Sequence, residues 1–149
     1  MTTRPLFDLR VDLAEPLDLG HTPAGHRRVI NIVGGDFSGE RLSGVVLQGG
    51  ADWQIVRADG VAVLDARYTL RATDGALVQV TSQGLRRGPP EVMARLARGE
   101  EVDPAEYYFR TAMRFETSAP GLAFLNAILA VSFGRRTPNA VHLRVAEVL

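Results

Sequence analysis

Apolar and polar residues alternate along most of this chain, and a period of two predicts strands. Leu6–Leu13 sets Phe7, Leu9, Val11 and Leu13 on one side and Asp8, Arg10 and Asp12 on the other. The same texture predicts strands over Gly25–Val33, Glu40–Leu47, Gly49–Val56, the run ending at Leu70, Ala76–Gln83, Glu106–Thr117, Ile128–Phe133 and Ala140–Val148. Turn signals separate them: Gly34–Gly39 as a glycine-rich connection, Asp59-Gly60 and Asp74-Gly75. Glu15-Pro16 to Gly25 reads as a loop. One stretch changes period. After Gly88-Pro89-Pro90, the residues Val92, Met93 and Leu96 fall at helical spacing and Gly99 stands where a C-cap belongs, so a helix is predicted over Glu91–Arg98. Its apolar stripe suits capping an open barrel end or packing on the sheet. A single helical turn is expected over Leu122–Ala127. About nine strands beside one clear helix argue a single all-β domain spanning residues 1–149, an antiparallel barrel or sandwich with up-and-down connections as the simplest topology.

The chain is organised around Gly49–Leu70, read as a hairpin joined at Arg57–Gly60. It carries the only tryptophan, Trp53, and an unusual density of charge for strand-like sequence. Asp65, Arg67 and Thr69 share one strand face, while Leu64, Ala66, Tyr68 and Leu70 share the other. Asp52, Gln54 and Val56 oppose Ala51, Trp53 and Ile55. If the hairpin aligns the charged sets, one face is apolar and aromatic and the other holds two acids and an arginine. Alternation leaves open which face points inward. We expect the charged face to line a pocket, since an enclosed Asp–Arg set is the more usual reason for charge in the middle of a strand.

Composition narrows the function classes. Seventeen basic and seventeen acidic residues cancel, and every basic residue is an arginine. With no basic excess, nucleic acid is not an expected partner. The chain has no cysteine, which removes disulfides, thiolate metal sites and a cysteine nucleophile. No apolar run reaches membrane-spanning or signal-peptide length, so a cytoplasmic protein with no membrane partner is expected. His21, His26 and His142 show no metal-ligand spacing, and neither a metal nor any other cofactor is expected. The glycine block is not a dinucleotide fingerprint, and no serine stands in a nucleophile-elbow context.

Several stretches resemble the domain-of-unknown-function family numbered 3237: LGHTPAGHRRVINIVGGDFSG, LQGGADWQIVRADGVAVLDARYTLRATDGALV, RRGPPEVMARLARGEEVDPAEYYFRT and RFET. The resemblance runs from about Leu19 to the end of the chain. It implies a closed, antiparallel, lipocalin-like barrel of about 8–9 strands, and for some members a place among genes of aromatic or polyketide metabolism. Gln48 stands where the family usually has proline, and Phe124 where tryptophan is common.

The candidate site gathers Asp52, Trp53, Asp65, Arg67 and Tyr68 with Tyr108 and Arg110 from the later strand. A small barrel has room for side chains or one small ligand. Asp52 is the candidate general base and Tyr108 the acid or hydrogen-bond donor. Arg67 and Arg110 would anchor an anionic oxygen, Trp53 would form an apolar wall, and Asp65 and Tyr68 would complete the substrate-binding set. The alternative is that these acids and arginines are cross-strand ion pairs fixing register, or are simply exposed. The expected function is a small-molecule barrel doing cofactor-independent acid–base chemistry, as an isomerase, cyclase or lyase, on an aromatic or polyketide-like acid. A carrier of a small anionic or aromatic ligand without turnover is the second reading. A subunit whose polar face is a homodimer or other oligomer interface is the third.

Overall fold

The computed structural model describes residues 1–149 as ten strands, one α-helix and two 3-10 helices. The strands are β1 (Thr3–Leu13), β2 (Leu17–Thr22), β3 (Gly25–Ser38), β4 (Ser43–Val46), β5 (Ala51–Val56), β6 (Ala62–Ala72), β7 (Leu77–Arg87), β8 (Tyr108–Glu116), β9 (Ala130–Thr137) and β10 (Ala140–Val148). Helix α1 covers Pro90–Ala97, and the 3-10 helices cover Pro104–Glu106 and Pro120–Ala127. No helix is long and apolar enough to cross a membrane.

Every pairing is antiparallel, and the ladder closes on itself. From β1 it runs through β10, β9, β8, β7 and β6; β4 and β5 then share one position, each bridging β6 and β3, and β3 returns to β1. Eight positions form the ring. The remaining strand, β2, pairs only with the first half of β3 and extends that corner as a hairpin. The result is a closed eight-position antiparallel barrel with up-and-down connections.

Two sequence expectations change. The segment before Gly25 is not all loop, because Leu17–Thr22 pairs with β3. The glycine block is not a connection either: Gly34 and Gly35 lie inside the 14-residue β3. There the pairing with β1 skips a residue between Asp12↔Gly34 and Leu13↔Ile32, a bulge that bends the strand around the barrel. Gly35 takes φ +136°, and a Cβ there would stand 2.0 Å from the Arg10 carbonyl oxygen, so only glycine fits.

The two barrel ends differ. At one end Phe7 packs edge-on against Phe37 and Phe115, with ring centroids 5.4 and 6.0 Å apart, over the fully buried Leu125 of the second 3-10 helix. Apolar burial fills that end and supplies the largest favourable term in folding. At the other end α1 lies across the mouth: Val92 is buried, while Met93 and Leu96 line an open pocket.

Candidate functional site

Below the mouth, the interior holds a chamber of about 50 Å³ walled by apolar residues such as Ile30, Leu64 and Phe109. Into it project polar residues from neighbouring strands: Asp52 and Gln54 of β5, Tyr68 of β6, Ser82 and Arg86 of β7, Thr111 of β8 and Arg136 of β9. A second pocket of about 360 Å³ lies under α1 and shares Gln54, Arg86 and Arg136 with the chamber. Those three residues are therefore the boundary between mouth and chamber.

Asp52 enters because of the hairpin's loop length. The ladder pairs Val56 with Ala62, leaving five residues in the loop, so Asp52 lies opposite Ala66 and faces inward with Leu64, Ala66 and Tyr68. Pairing between β5 and β6 lapses between Asp52↔Ala66 and Ile55↔Val63. Asp52 fills part of that gap: its Oδ1 accepts the backbone N–H of Asp65 at 2.8 Å, and its Oδ2 accepts from Gln54 Nε2 at 3.5 Å. The carboxyl is nevertheless held above the usual aspartate range, because burial disfavours the charged form more than these donors and the Arg86 charge favour it.

The arginines are equally unusual. Arg86 is only 7% exposed, and its guanidinium lies 5.5 Å from the centroid of the Phe109 ring. Burial, then repulsion from Arg136, lowers it to about 10. Arg136 is lowered for the same reason, with Arg28 the next contributor. The seven ion pairs of the protein include none of Asp52, Arg86 and Arg136. Neither Arg86 nor Arg136 donates a side-chain hydrogen bond; Arg136 contributes only its backbone N–H, to the Tyr107 hydroxyl at 2.8 Å. Their guanidinium donors are unspent at the chamber boundary.

Three more atoms are unspent. Tyr68 Oη and Gln54 Oε1 in the chamber, and Asp65 Oδ1 on the other face of β6, are buried without a hydrogen-bond partner. Burial holds the Tyr68 phenol far above its ordinary pKa, so it is a neutral donor. Thr111 and Ser132, by contrast, satisfy one another at 2.6 Å. Phe109 reaches across to β9 because residue 134 is glycine; a Cβ there would meet the Phe109 ring at 2.6 Å.

The sequence-predicted residues divide. Asp52 and Tyr68 line the chamber together. The other five do not. Asp65 and Arg67 lie on the outward face of β6, opposite in parity to its buried residues Leu64, Tyr68 and Leu70, so the charged face expected to line the pocket is outside on that strand. Trp53 is 41% exposed and Tyr108 38% exposed, so neither walls or serves the interior. Arg110 also lies outside, its guanidinium 5.2 Å from the Tyr108 ring and 4.4 Å from the Phe133 ring. On β8 the inward residues are Phe109, Thr111, Met113 and Phe115. Sequence reasoning missed Arg86, Arg136 and Gln54. Gln54 shares a strand face with Asp52, which was a usable signal; Arg86 and Arg136 each sit in an arginine doublet that reads as surface charge.

His26 Nε2 lies 2.7 Å from Asp18 Oδ1, with the His21 ring 4.9 Å from that of His26, on the β2–β3 extension. No group of three or more His, Asp or Glu side chains is arranged to hold a metal.

Fold and cavity define a closed antiparallel barrel with a small, mostly apolar chamber, into which a few polar side chains project, under a helix-covered mouth. The family model described as "Protein of unknown function (DUF3237)" matches residues 1–148, and the chain belongs to that family. UPF0311 protein RPA1785 of Rhodopseudomonas palustris is 40% identical over 149 residues, covering 100% of this chain and 97% of the relative. Its crystal structure superposes with a TM-score of 0.94 over 99% of this chain and 97% of that one. A structure described as a beta-barrel like protein from Acinetobacter baumannii is 43% identical, with a TM-score of 0.86 over 98% and 94% of the two chains. A structure described as an enzyme from Penicillium herquei, 20% identical, shares the fold with a TM-score of 0.70 over 97% and 93%.

Proposed function

We propose that this protein binds a small aromatic or polyketide-like acid through the mouth and moves a proton on it with Asp52, without a cofactor. Isomerisation, cyclisation and lyase chemistry all need such a step. The observation that carries the reading is Asp52 itself: a carboxyl lifted by burial, bound by no cation, in a chamber with the unspent Tyr68 hydroxyl and Gln54 carbonyl. A carboxyl held above the usual aspartate range is better matched to proton exchange at working pH than an ordinary one. Tyr68 suits the hydrogen-bond donor to an oxygen that gains charge. The anion-anchoring part, sought in Arg67 and Arg110, falls to Arg86 and Arg136.

The test is deuterium exchange. Small β-keto acids and polyhydroxylated naphthoic acids are incubated in D₂O with the protein, and NMR follows loss of the acidic carbon-bound protons. We expect catalysed exchange with some members of the panel, lost in Asp52→Asn while binding is retained. Binding without exchange anywhere in the panel identifies a carrier and ends the enzymatic reading.

A further inference from the structure

The chamber and the mouth differ sevenfold in size, and that difference restricts how a ligand can sit. About 50 Å³ is room for one or two waters, each of which occupies about 30 Å³ in the liquid. Ligand pockets for whole small molecules run to about 300–1,000 Å³, a range that contains the 360 Å³ mouth and not the chamber. A ring system therefore stays in the mouth, and only a small polar group passes the boundary. That boundary is formed by Arg86, Arg136 and Gln54.

The mouth is also lopsided in charge. Arg28, Arg86 and Arg136 face it against one acid, Glu15, which is exposed. The Coulomb repulsion that lowers Arg86 and Arg136 arises within this trio. Three guanidiniums in one partly enclosed pocket, two with unspent donors, are stabilised by a guest that brings negative charge and planar acceptor oxygens. The lining of the mouth also includes the apolar residues Val56, Met93, Leu96 and Pro138.

We infer that the ligand is an amphipathic aromatic anion, its acid group gripped by Arg86 and Arg136 and its ring lying under α1 against Met93 and Leu96, which set the size accepted. The inference rests on reading the barrel interior as the ligand site, but not on any chemistry at Asp52. Arg86 is suited to the grip because the Phe109 ring supports its face while its edge donors remain free. Helix α1 is then the specificity-determining wall rather than a plug.

The probe is 8-anilinonaphthalene-1-sulfonate, followed by fluorescence, with its uncharged counterpart N-phenyl-1-naphthylamine in parallel and 2-naphthoate as a competing carboxylate. Arg86→Gln and Arg136→Gln should each weaken the sulfonate about tenfold or more, the loss of one charge-assisted contact, and change the uncharged probe less than about twofold. Leu96→Trp, which fills the mouth, should weaken both probes. Arg110→Gln on the outer wall should alter neither, and 2-naphthoate should displace the sulfonate. Circular dichroism and melting establish that each variant folds; if Arg86→Gln does not, Arg86→Lys and Arg136→Gln carry the comparison. Sulfonate binding that is absent, indifferent to both arginines, or as sensitive to Arg110→Gln overturns the inference. Arginine-dependent binding without proton exchange leaves this site standing and refutes the Asp52 chemistry; exchange without arginine dependence does the reverse.

Discussion

Two arginines one strand apart make the same contact in opposite settings. Arg86 lies over Phe109 inside the barrel, and Arg110 lies over Phe133 and beside Tyr108 outside it. The outer guanidinium is half-buried and donates to the Phe109 carbonyl at 2.9 Å. The inner one is 7% exposed and has no protein acceptor, and its charge is correspondingly disfavoured. The outer cluster is surface packing of ordinary worth. The inner cluster carries unsatisfied charge that the fold could avoid with a leucine or methionine, which is what the proposed binding role would explain.

Phenylalanine supports both arginines, and the largest expected effect separates the two rings. Phe109 is 3% exposed and Phe133 53% exposed. Phe109→Ala should cost about 3–5 kcal/mol, as large-to-small core substitutions of aromatics do, whereas Phe133→Ala should stay within about 0.5 kcal/mol. Urea denaturation of both variants reads the difference directly. Equal losses would place the two clusters in equivalent surroundings and erase the contrast.

The arginines themselves come next, and there the sign is informative. Arg86→Met keeps most of the volume and removes a buried charge without a partner, so it should stabilise the ligand-free protein, by about 1–4 kcal/mol if it behaves as buried ion pairs replaced by apolar residues do. Arg110→Met should change stability by less than about 1 kcal/mol. A loss of stability in Arg86→Met would mean that the guanidinium serves the fold, and the binding argument would weaken with it.

The contrast between inside and outside was only half legible in the sequence. Alternation within β8 correctly grouped Phe109, Thr111, Met113 and Phe115 against Tyr108, Arg110 and Arg114, but grouping does not say which set faces inward. The hairpin failed for a sharper reason. Asp59-Gly60 reads as a tight turn, and an even-numbered loop between β5 and β6 would put Asp52 on the face of Asp65 and Arg67. The five-residue loop from Arg57 to Val61 slips that register by one, sending Asp52 inward while Asp65 and Arg67 stay outside. Helix α1 was readable because Val92, Met93 and Leu96 repeat at 3.6 and Gly99, at φ +80°, ends it. The bent strand at Gly34-Gly35 was not, since a glycine pair looks the same in a bulge as in a turn.

Asp52 supplies a pH-dependent test of the same contrast. Its folded-state pKa is raised above the ordinary value of 3.8. In the pH window between those two values the folded protein binds more protons than the unfolded chain. Stability should therefore fall as pH rises from about 4 through the raised pKa. Asp52→Asn removes that slope. The parent-minus-variant difference, from denaturation at a series of pH values, should be flat below pH 4 and decline above it before levelling. Arg86, whose charge favours the ionised form, and the outward Asp65, whose charge disfavours it, are the charges that bear on Asp52. A pH-independent difference would show Asp52 hydrated like a surface carboxylate.

The smallest effect gives the finest resolution, because it measures which arginine Asp52 senses. Arg86 acts on the Asp52 carboxyl through its charge. Arg110 projects from the outer wall, with the sheet between it and the chamber. In a double-mutant cycle, Asp52→Asn and Arg86→Met should therefore be non-additive, with a coupling of about 0.5–3 kcal/mol for groups sharing one electrostatic site. Asp52→Asn and Arg110→Met should add to within about 0.5 kcal/mol. The Arg86 coupling should also shrink as pH falls through the raised pKa of Asp52, because the protonated carboxyl has no charge to offer. That pH dependence excludes a packing origin, since a cavity or a shifted side chain would couple the two positions equally at every pH. Coupling to Arg110 of the same size as to Arg86 would return the outer face to the proposed site and undo the division between the buried interior and the outer wall.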